Sequence, residues 1–247
     1  MTSHEFSGAT VVVTGGASGI GRAIVEAVID RGGRVAALDI DEVQLASLAS
    51  RFGASVVTER VDVSDYRAVK AALTRHSAAL GGFTHLVNNA GIIGGIVPIG
   101  DIQPEQLDRA LGVNLKSVFY VTSAFLGHRR PDVPSAIVNL SSIAARTGGM
   151  PGNSMYAATK GAIASLTISM AKELAPHIRV NALAPGIINT PIQADSLGDQ
   201  ARVAQIAQTI PLRRPGEARE VAEAALWLLS ERASYTTGTI VDVAGGR

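Results

Sequence analysis

Seven short runs rich in β-branched and other apolar residues punctuate the chain, at Thr10–Thr14, Arg34–Asp39, Ser55–Val61, Thr84–Asn88, Ala136–Leu140, Arg179–Leu183 and Thr239–Val243. Runs that are apolar at consecutive rather than alternate positions are what strands buried on both faces require. Between them, apolar residues recur at helical spacing over Ile20–Asp30, Val43–Phe52, Tyr66–Leu80, Glu105–Leu126, Tyr156–Leu174 and Ala218–Leu229. Each of these segments predicts an amphipathic helix. Regular alternation of the two patterns predicts an α/β fold, a doubly wound parallel sheet with right-handed crossovers and helices on both faces. The chain shows no internal repeat, no low-complexity tract and no compositional break, and the turn-like Gly127–Ser135 is too short to divide it. The 247 residues therefore read as one domain, 1–247.

Composition narrows the chemistry. Hydrophobic residues make up 47% of the chain and the formal net charge is +1, which supplies a core and offers no cationic surface for nucleic acid. There is no cysteine, so disulfides, thiolate nucleophiles and thiolate metal sites are excluded, and the cytoplasm is the natural compartment. His4, His76, His85, His128 and His177 lack metal-ligand spacing, so no metal is expected. Met1 to Gly8 does not pair a basic segment with an apolar one, and no apolar run reaches the roughly 18 to 20 residues of a membrane span.

The first strand runs directly into Gly15-Gly16-Ala17-Ser18-Gly19-Ile20-Gly21 and then a helix. In that context small residues let the backbone approach a pyrophosphate, whose charge is met by free N–H groups at the helix N-terminus. An NTPase loop is excluded because Arg22 and Ala23 stand where Lys and Ser or Thr would be needed. Asp39 closes the second strand 18 residues after Gly21, near the distance at which a carboxylate accepts from adenine ribose hydroxyls. Its charge would repel a 2′-phosphate, and neither Ile40 nor the loop residues Ala17 and Ser18 offer a cation, so NAD(H) is favoured over NADP(H). The competing reading makes Asp39 or Asp41 a cap for the helix near Glu42.

Tyr156 and Lys160 lie four residues apart in a helical segment, so their side chains share a face. A phenol with an ordinary pKa of about 10 is a poor base at neutral pH, and a neighbouring ammonium together with an oxidised nicotinamide would favour the phenolate. Alone, such a pair is commonplace.

With the loop Thr14-Gly15-Gly16-Ala17-Ser18-Gly19-Ile20-Gly21, the chain resembles the short-chain dehydrogenase/reductase family over nearly its whole length. The further motifs stand in family order: Asp62-Val63, Asn88-Asn89-Ala90-Gly91, Asn114, Ser141-Ser142, Tyr156-Ala157-Ala158-Thr159-Lys160, Asn181, Pro185-Gly186 with Thr190, and Thr237-Gly238 with Gly245-Gly246. The resemblance implies a Rossmann-type fold and an oxidoreductase in which Tyr156 is general acid/base. It further implies that Ser142 polarises the substrate oxygen, Lys160 bonds the nicotinamide ribose, and Asn114 anchors a water relay to Lys160. Gly15, Ser18, Gly19, Ile20 and Gly21 would hold the pyrophosphate, Asp39 and Ile40 the ribose, and Asp62 and Val63 the adenine. Asn88, Ala90 and Gly91 would shape the loop beneath the cofactor, with Pro185, Gly186, Ile188 and Thr190 at the carboxamide. Fourteen positions separate Ser142 from Tyr156, one more than the subgroup leads one to expect. Pro191 to Pro211 corresponds to a substrate lid, with Ile192, Leu197, Val203, Ile206 and Ile210 at packing spacing.

The expected activity is NAD-linked interconversion of a secondary alcohol and a ketone, a sugar or polyol being suggested by the carboxy-terminal half. A 3-oxoacyl (acyl-carrier-protein) reductase is the alternative, with Arg129, Arg130 and Lys172 as a landing for an acidic carrier. A non-catalytic NAD-sensing protein is the alternative of another class. The only partner expected besides a small alcohol or ketone is a second copy of the chain, in a homotetramer built on the Glu105–Leu126 and Tyr156–Leu174 helices.

Overall fold

The computed structural model describes residues 4–191 and 205–247. Val11, Val12 and Val13 of strand β1 (Thr10–Thr14) are fully buried and serve two cores on opposite faces of one sheet. Val11 and Val13 join helices α1 (Gly19–Asp30) and α8 (Ala218–Leu229), while Val12 joins α3 (Tyr66–Leu80) and α5 (Ser117–His128). The same alternation runs through β2 (Arg34–Asp39), where Val35 and Ala37 face the first core and Ala36 and Leu38 the second. The expected α/β doubly wound sheet is the one observed, with seven parallel strands in the order β3-β2-β1-β4-β5-β6-β9. The remaining strands are β3 (Val56–Arg60), β4 (His85–Asn88), β5 (Ser135–Leu140), β6 (Ile178–Pro185) and β9 (Ile240–Val243). Chain order reverses between β1 and β4, and in sheets of this kind a crevice opens there at the carboxyl ends of the strands.

Three departures from the sequence pattern have physical causes. The expected helix Glu105–Leu126 is α4 (Pro104–Leu111), a π turn (Gly112–Lys116) and α5. Asn114 in that turn exchanges two 2.8 Å hydrogen bonds with the backbone N–H and C=O of Ile92, and this tertiary tie is invisible to a helical period. Second, β6 extends to Pro185 because Ala182 to Pro185 pair in register with Ile240 to Val243. Third, a two-residue pair, β7 (Ile188–Asn189) with β8 (Gly216–Glu217), was too short to carry a period. Helices α2 (Glu42–Phe52), α6 (Ala144–Thr147) and α7 (Ser154–Leu174) complete the labelled elements. Among the described residues no helix is long and apolar enough to cross a membrane.

Candidate active site

The site is built where β1 ends. The chain leaves Thr14 through Gly15 at φ 62° and enters α1 at Gly19 at φ 51°, conformations that favour glycine. A Cβ on Gly21 would lie 1.9 Å from the Gly15 carbonyl oxygen, so loop and helix can approach this closely only without a side chain. The loop is tied to the end of β4. The Thr14 hydroxyl accepts from the Asn89 and Ala90 N–H groups, and Asn89 Nδ2 donates to the Thr14 and Gly15 carbonyls at 2.9 and 3.0 Å. Asn88, expected to shape this loop, instead lies buried in the sheet and donates to Asn139 Oδ1 at 2.9 Å. The shaping belongs to its neighbour Asn89, because successive strand residues point to opposite faces.

Asp41 and Asp65 cap α2 and α3 with their carboxylates, whereas Ser18, at the cap of α1, makes no side-chain cap bond and no acidic residue follows in the first turn. The first N–H groups of α1 are left to meet an anion. Asp39 has the complementary role. Its Oδ2 accepts from Ala17 N–H at 2.9 Å and its Oδ1 from Ile40 and Asp41 N–H, so it spans from β2 to the glycine-rich loop, and the cap of α2 is Asp41.

A cleft of about 710 Å³ runs along this edge. Gly15, Ser18, Gly19 and Ile20 form its floor, with Asp39, Ile40, Asp62 and Val63 at one end. Ala90, Gly91, Tyr156 and Lys160 line the middle and other end, opposite Pro185, Gly186, Ile188 and Thr190. Thr190 approaches the loop so closely that a Cβ on Gly19 would lie 3.4 Å from its side chain. A cleft that joins a glycine-rich helix entry, a carboxylate and a Tyr–Lys pair has the chemistry to take an extended dinucleotide. Gly21, Asn88, Asn114 and Ser142 are not among the residues that line it.

At the reacting end the Ser142 hydroxyl lies beside the Tyr156 phenol; it donates to the Pro185 carbonyl at 3.5 Å and accepts from Ala144 N–H at 3.1 Å. Burial pushes the phenol above its ordinary value, and the neighbouring Ser142 hydroxyl draws it back. The Lys160 amine lies 5.6 Å from the Tyr156 ring centroid and donates to the Leu140 carbonyl at 2.7 Å. Burial holds that amine down to about 8. The Ser141 hydroxyl donates to the Lys160 carbonyl at 2.8 Å, so of the two serines Ser142 faces Tyr156 and Ser141 ties down α7. Between Ser142 and Tyr156 the chain turns through Gly148, Gly149 and Gly152, all at positive φ. Asn114 commits both side-chain atoms to Ile92, and Nδ2 also donates to the Thr159 hydroxyl at 3.1 Å. A Cβ on Gly91 would come within 3.2 Å of Lys160 Nζ and 3.4 Å of Asn114 Oδ1, so a side chain there would press on both.

Arg109, Val113 and Ile92 also line the cleft, and the sequence pattern did not single them out. Val113 and Ile92 were hidden in apolar periodicity. Arg109 had no signal of its own. Of the lid residues, Ile192, Leu197 and Val203 fall outside the described residues, while Ile210 is buried. Arg129 and Arg130 lie at the amino ends of β4 and β5, opposite the carboxyl ends that bear the cleft: Arg129 donates to the Arg130 and Val133 carbonyls and Arg130 to the Gly8 carbonyl. They are spent on backbone far from the cleft mouth and form no landing beside it.

A family model described as enoyl-(acyl carrier protein) reductase matches residues 15–247. The chain is 35% identical to 2-dehydro-3-deoxy-L-rhamnonate dehydrogenase (NAD(+)) of Sphingomonas sp. (strain SKA58), over 98% of this chain and 96% of that protein. It is 38% identical to L-xylulose reductase of Bos taurus, over 98% and 97%. Among solved structures it resembles a short-chain dehydrogenase/reductase, glucose/ribitol dehydrogenase, from Brucella melitensis, with TM-score 0.92 and 34% identity over 99% of this chain and 98% of that one.

Proposed function

Because this chain belongs to the short-chain dehydrogenase/reductase family and is an oxidoreductase, we propose that it interconverts a secondary alcohol and a ketone with NAD(H), on a sugar or polyol-type substrate. The observation that carries the reading is that Tyr156 and Lys160 line the same cleft as Asp39, with the Ser142 hydroxyl beside the Tyr156 phenol. The relatives named for a deoxy sugar acid and for xylulose support the substrate class, and the NAD(+) in one of those names supports the cofactor.

A bound nicotinamide would supply the hydride acceptor or donor. The α1 N-terminus and the glycine-rich loop would hold the pyrophosphate, and Asp39 the adenine ribose. Pro185, Gly186, Ile188 and Thr190 would face the carboxamide. In oxidation the Tyr156 phenolate oxygen takes the proton of the substrate hydroxyl; in reduction the phenol returns it. The Ser142 hydroxyl donates to the same substrate oxygen and stabilises the charge developing there. Lys160 holds a positive charge against the phenolate and reaches the ribose lining. Asn114 acts by fixing Ile92, and with it the wall beneath Lys160.

A panel of sugars, polyols, hydroxysteroids, hydroxy acids and 3-oxoacyl thioesters, followed by NADH absorbance, tests the assignment. Turnover on sugars or polyols is expected. Turnover on a 3-oxoacyl thioester alone would replace this reading with the 3-oxoacyl reductase alternative. We also propose a homotetramer, since Leu107, Phe119, Leu126 and Ile168 leave apolar surface exposed on α4, α5 and α7.

A further inference from the structure

Arg109 stands on the last turn of α4, just before the π turn, and lines the cleft together with Asp62 and Val63. Its Nη1 donates to Asp62 Oδ2 at 2.8 Å and to Ser64 Oγ at 3.1 Å. The other carboxylate oxygen is taken from below: Ser64 N–H and Ser64 Oγ donate to Asp62 Oδ1 at 2.9 and 2.6 Å. Asp62 is thus held from both sides, by the turn after β3 and by a guanidinium from a separate helix. These bonds hold its carboxyl below the usual range although burial acts the other way. Of the ion pairs among the described residues, this is the one whose two partners both line the cleft.

A carboxylate oxygen has two acceptor directions, so Asp62 Oδ2 can hold Arg109 and still accept one N–H from a ligand. An unrestrained carboxylate would give up rotamer freedom on binding; one already fixed does not, and the gain appears as affinity. Chemistry also sets which purine it suits. The exocyclic amine of adenine is a donor to an ionised carboxylate, whereas hypoxanthine presents a carbonyl oxygen at the same position and would meet repulsion.

We propose that Arg109 is a positioning residue for the adenine end of the cofactor, orienting Asp62 so that the cleft selects a 6-amino purine over a 6-oxo purine. This rests on the dinucleotide reading above. Arg109 and Asp62 are both partly open to solvent, so the selective part is worth about three- to tenfold, not orders of magnitude. The consequence extends along the chain: Arg109, Val113 and Asn114 sit on one continuous segment, so the residue that orients Asp62 is covalently close to the one that anchors Ile92 beside Lys160.

The test is equilibrium binding of NADH and of reduced nicotinamide hypoxanthine dinucleotide, read by calorimetry and by nicotinamide fluorescence, so that no turnover is needed. Wild type should bind NADH more tightly than the hypoxanthine analogue. Arg109→Met, which keeps the aliphatic stem, should weaken NADH three- to tenfold while moving the analogue less than twofold, so that selectivity collapses. Arg109→Lys should recover part of it, and Asp62→Ala should abolish it. Equal weakening of both dinucleotides in Arg109→Met, or selectivity within twofold of wild type, would overturn the proposal and leave Arg109 a merely structural tie. Failure of wild type to bind either dinucleotide would instead strike the dinucleotide reading itself, and the proposal with it.

Discussion

The Asp39 carboxylate sets the most direct quantitative expectation, a preference for NAD(H) over NADP(H) of at least tenfold in kcat/KM. Its two oxygens are oriented by three backbone N–H groups, from Ala17, Ile40 and Asp41, at 2.9, 2.7 and 3.1 Å. A ribose bonded to that carboxylate would bring a 2′-phosphate within about 4 to 5 Å, where each pair of unit charges costs about 1 kcal/mol in water and about 4 kcal/mol at an effective dielectric of 20. The partial positive charge of the three N–H groups and screening by salt reduce this, so the lower end, about 1.4 kcal/mol or tenfold, is the defensible floor. Asp41 also lines the cleft, so Asp39→Ser alone should relax the preference only in part. Adding Ile40→Arg should relax it further or reverse it, because Ile40 is 54% exposed at the cleft mouth and a guanidinium has open room there. The serine replaces an acceptor of three N–H groups with an acceptor of at most two, so the variants should also lose about 1 kcal/mol of stability. Initial rates with both cofactors at one ionic strength read the effect. Equal wild-type efficiency with NAD and NADP, or a double variant with wild-type preference, would refute the electrostatic argument.

Tyr156→Phe keeps the ring and removes the proton carrier, so turnover in the NADH assay should fall by about 10² to 10⁴, with NADH affinity by fluorescence titration nearly unchanged. Ser142→Ala should cost about 10² in kcat. Ser141→Ala should instead lower the unfolding free energy by about 1 kcal/mol, measured in urea, because it frees a buried Lys160 carbonyl. The Lys160 amine sits at about 8 when folded and at an ordinary value of about 10.4 when unfolded. Between those values the unfolded chain binds more protons, so this group's contribution to stability rises as pH increases from about 8 to about 10. Lys160→Met should flatten that slope in urea titrations across the window. Light scattering at micromolar concentration should give a tetramer mass, and a monomer would contradict the proposed use of the exposed α5 and α7 faces.

The sheet was legible because parallel strands buried on both faces must be apolar at successive positions. The runs at Thr10–Thr14 and Arg34–Asp39 accordingly match the observed strands end for end. The helix break at Gly112–Lys116 was not, since apolar spacing continues through it and its cause is a contact to Ile92, 22 residues away. The same limit applies to neighbouring identical residues. Asn88 is held in the sheet by Asn139 while Asn89 lines the cleft, and Ser141 bonds the Lys160 carbonyl while Ser142 bonds that of Pro185, so one residue of position decides the partner of each. Arg109 was illegible for another reason: a single arginine on a polar helix face looks like solvated charge until Asp62 and Ser64 are seen beneath it.

The placement of Tyr156 depends less on Tyr156 than on the end of β5. Two successive residues there grip one residue of α7 at both of its ends: the Leu140 carbonyl accepts from Lys160 Nζ, and the Ser141 hydroxyl donates to the Lys160 carbonyl. A helix held at the backbone and at the tip of a long side chain of the same residue can neither slide along its axis nor rotate about it. Tyr156, one turn earlier on the same face, is therefore carried to a fixed place. The next residue of the same strand exit, Ser142, meets the phenol there. Three consecutive positions, Leu140, Ser141 and Ser142, thus supply an acceptor for the lysine, an anchor for the helix and a partner for the tyrosine. A one-residue insertion between β5 and Ser142 would separate these functions, whereas one in the turn through Gly148, Gly149 and Gly152 would lie outside the gripped segment and leave them together.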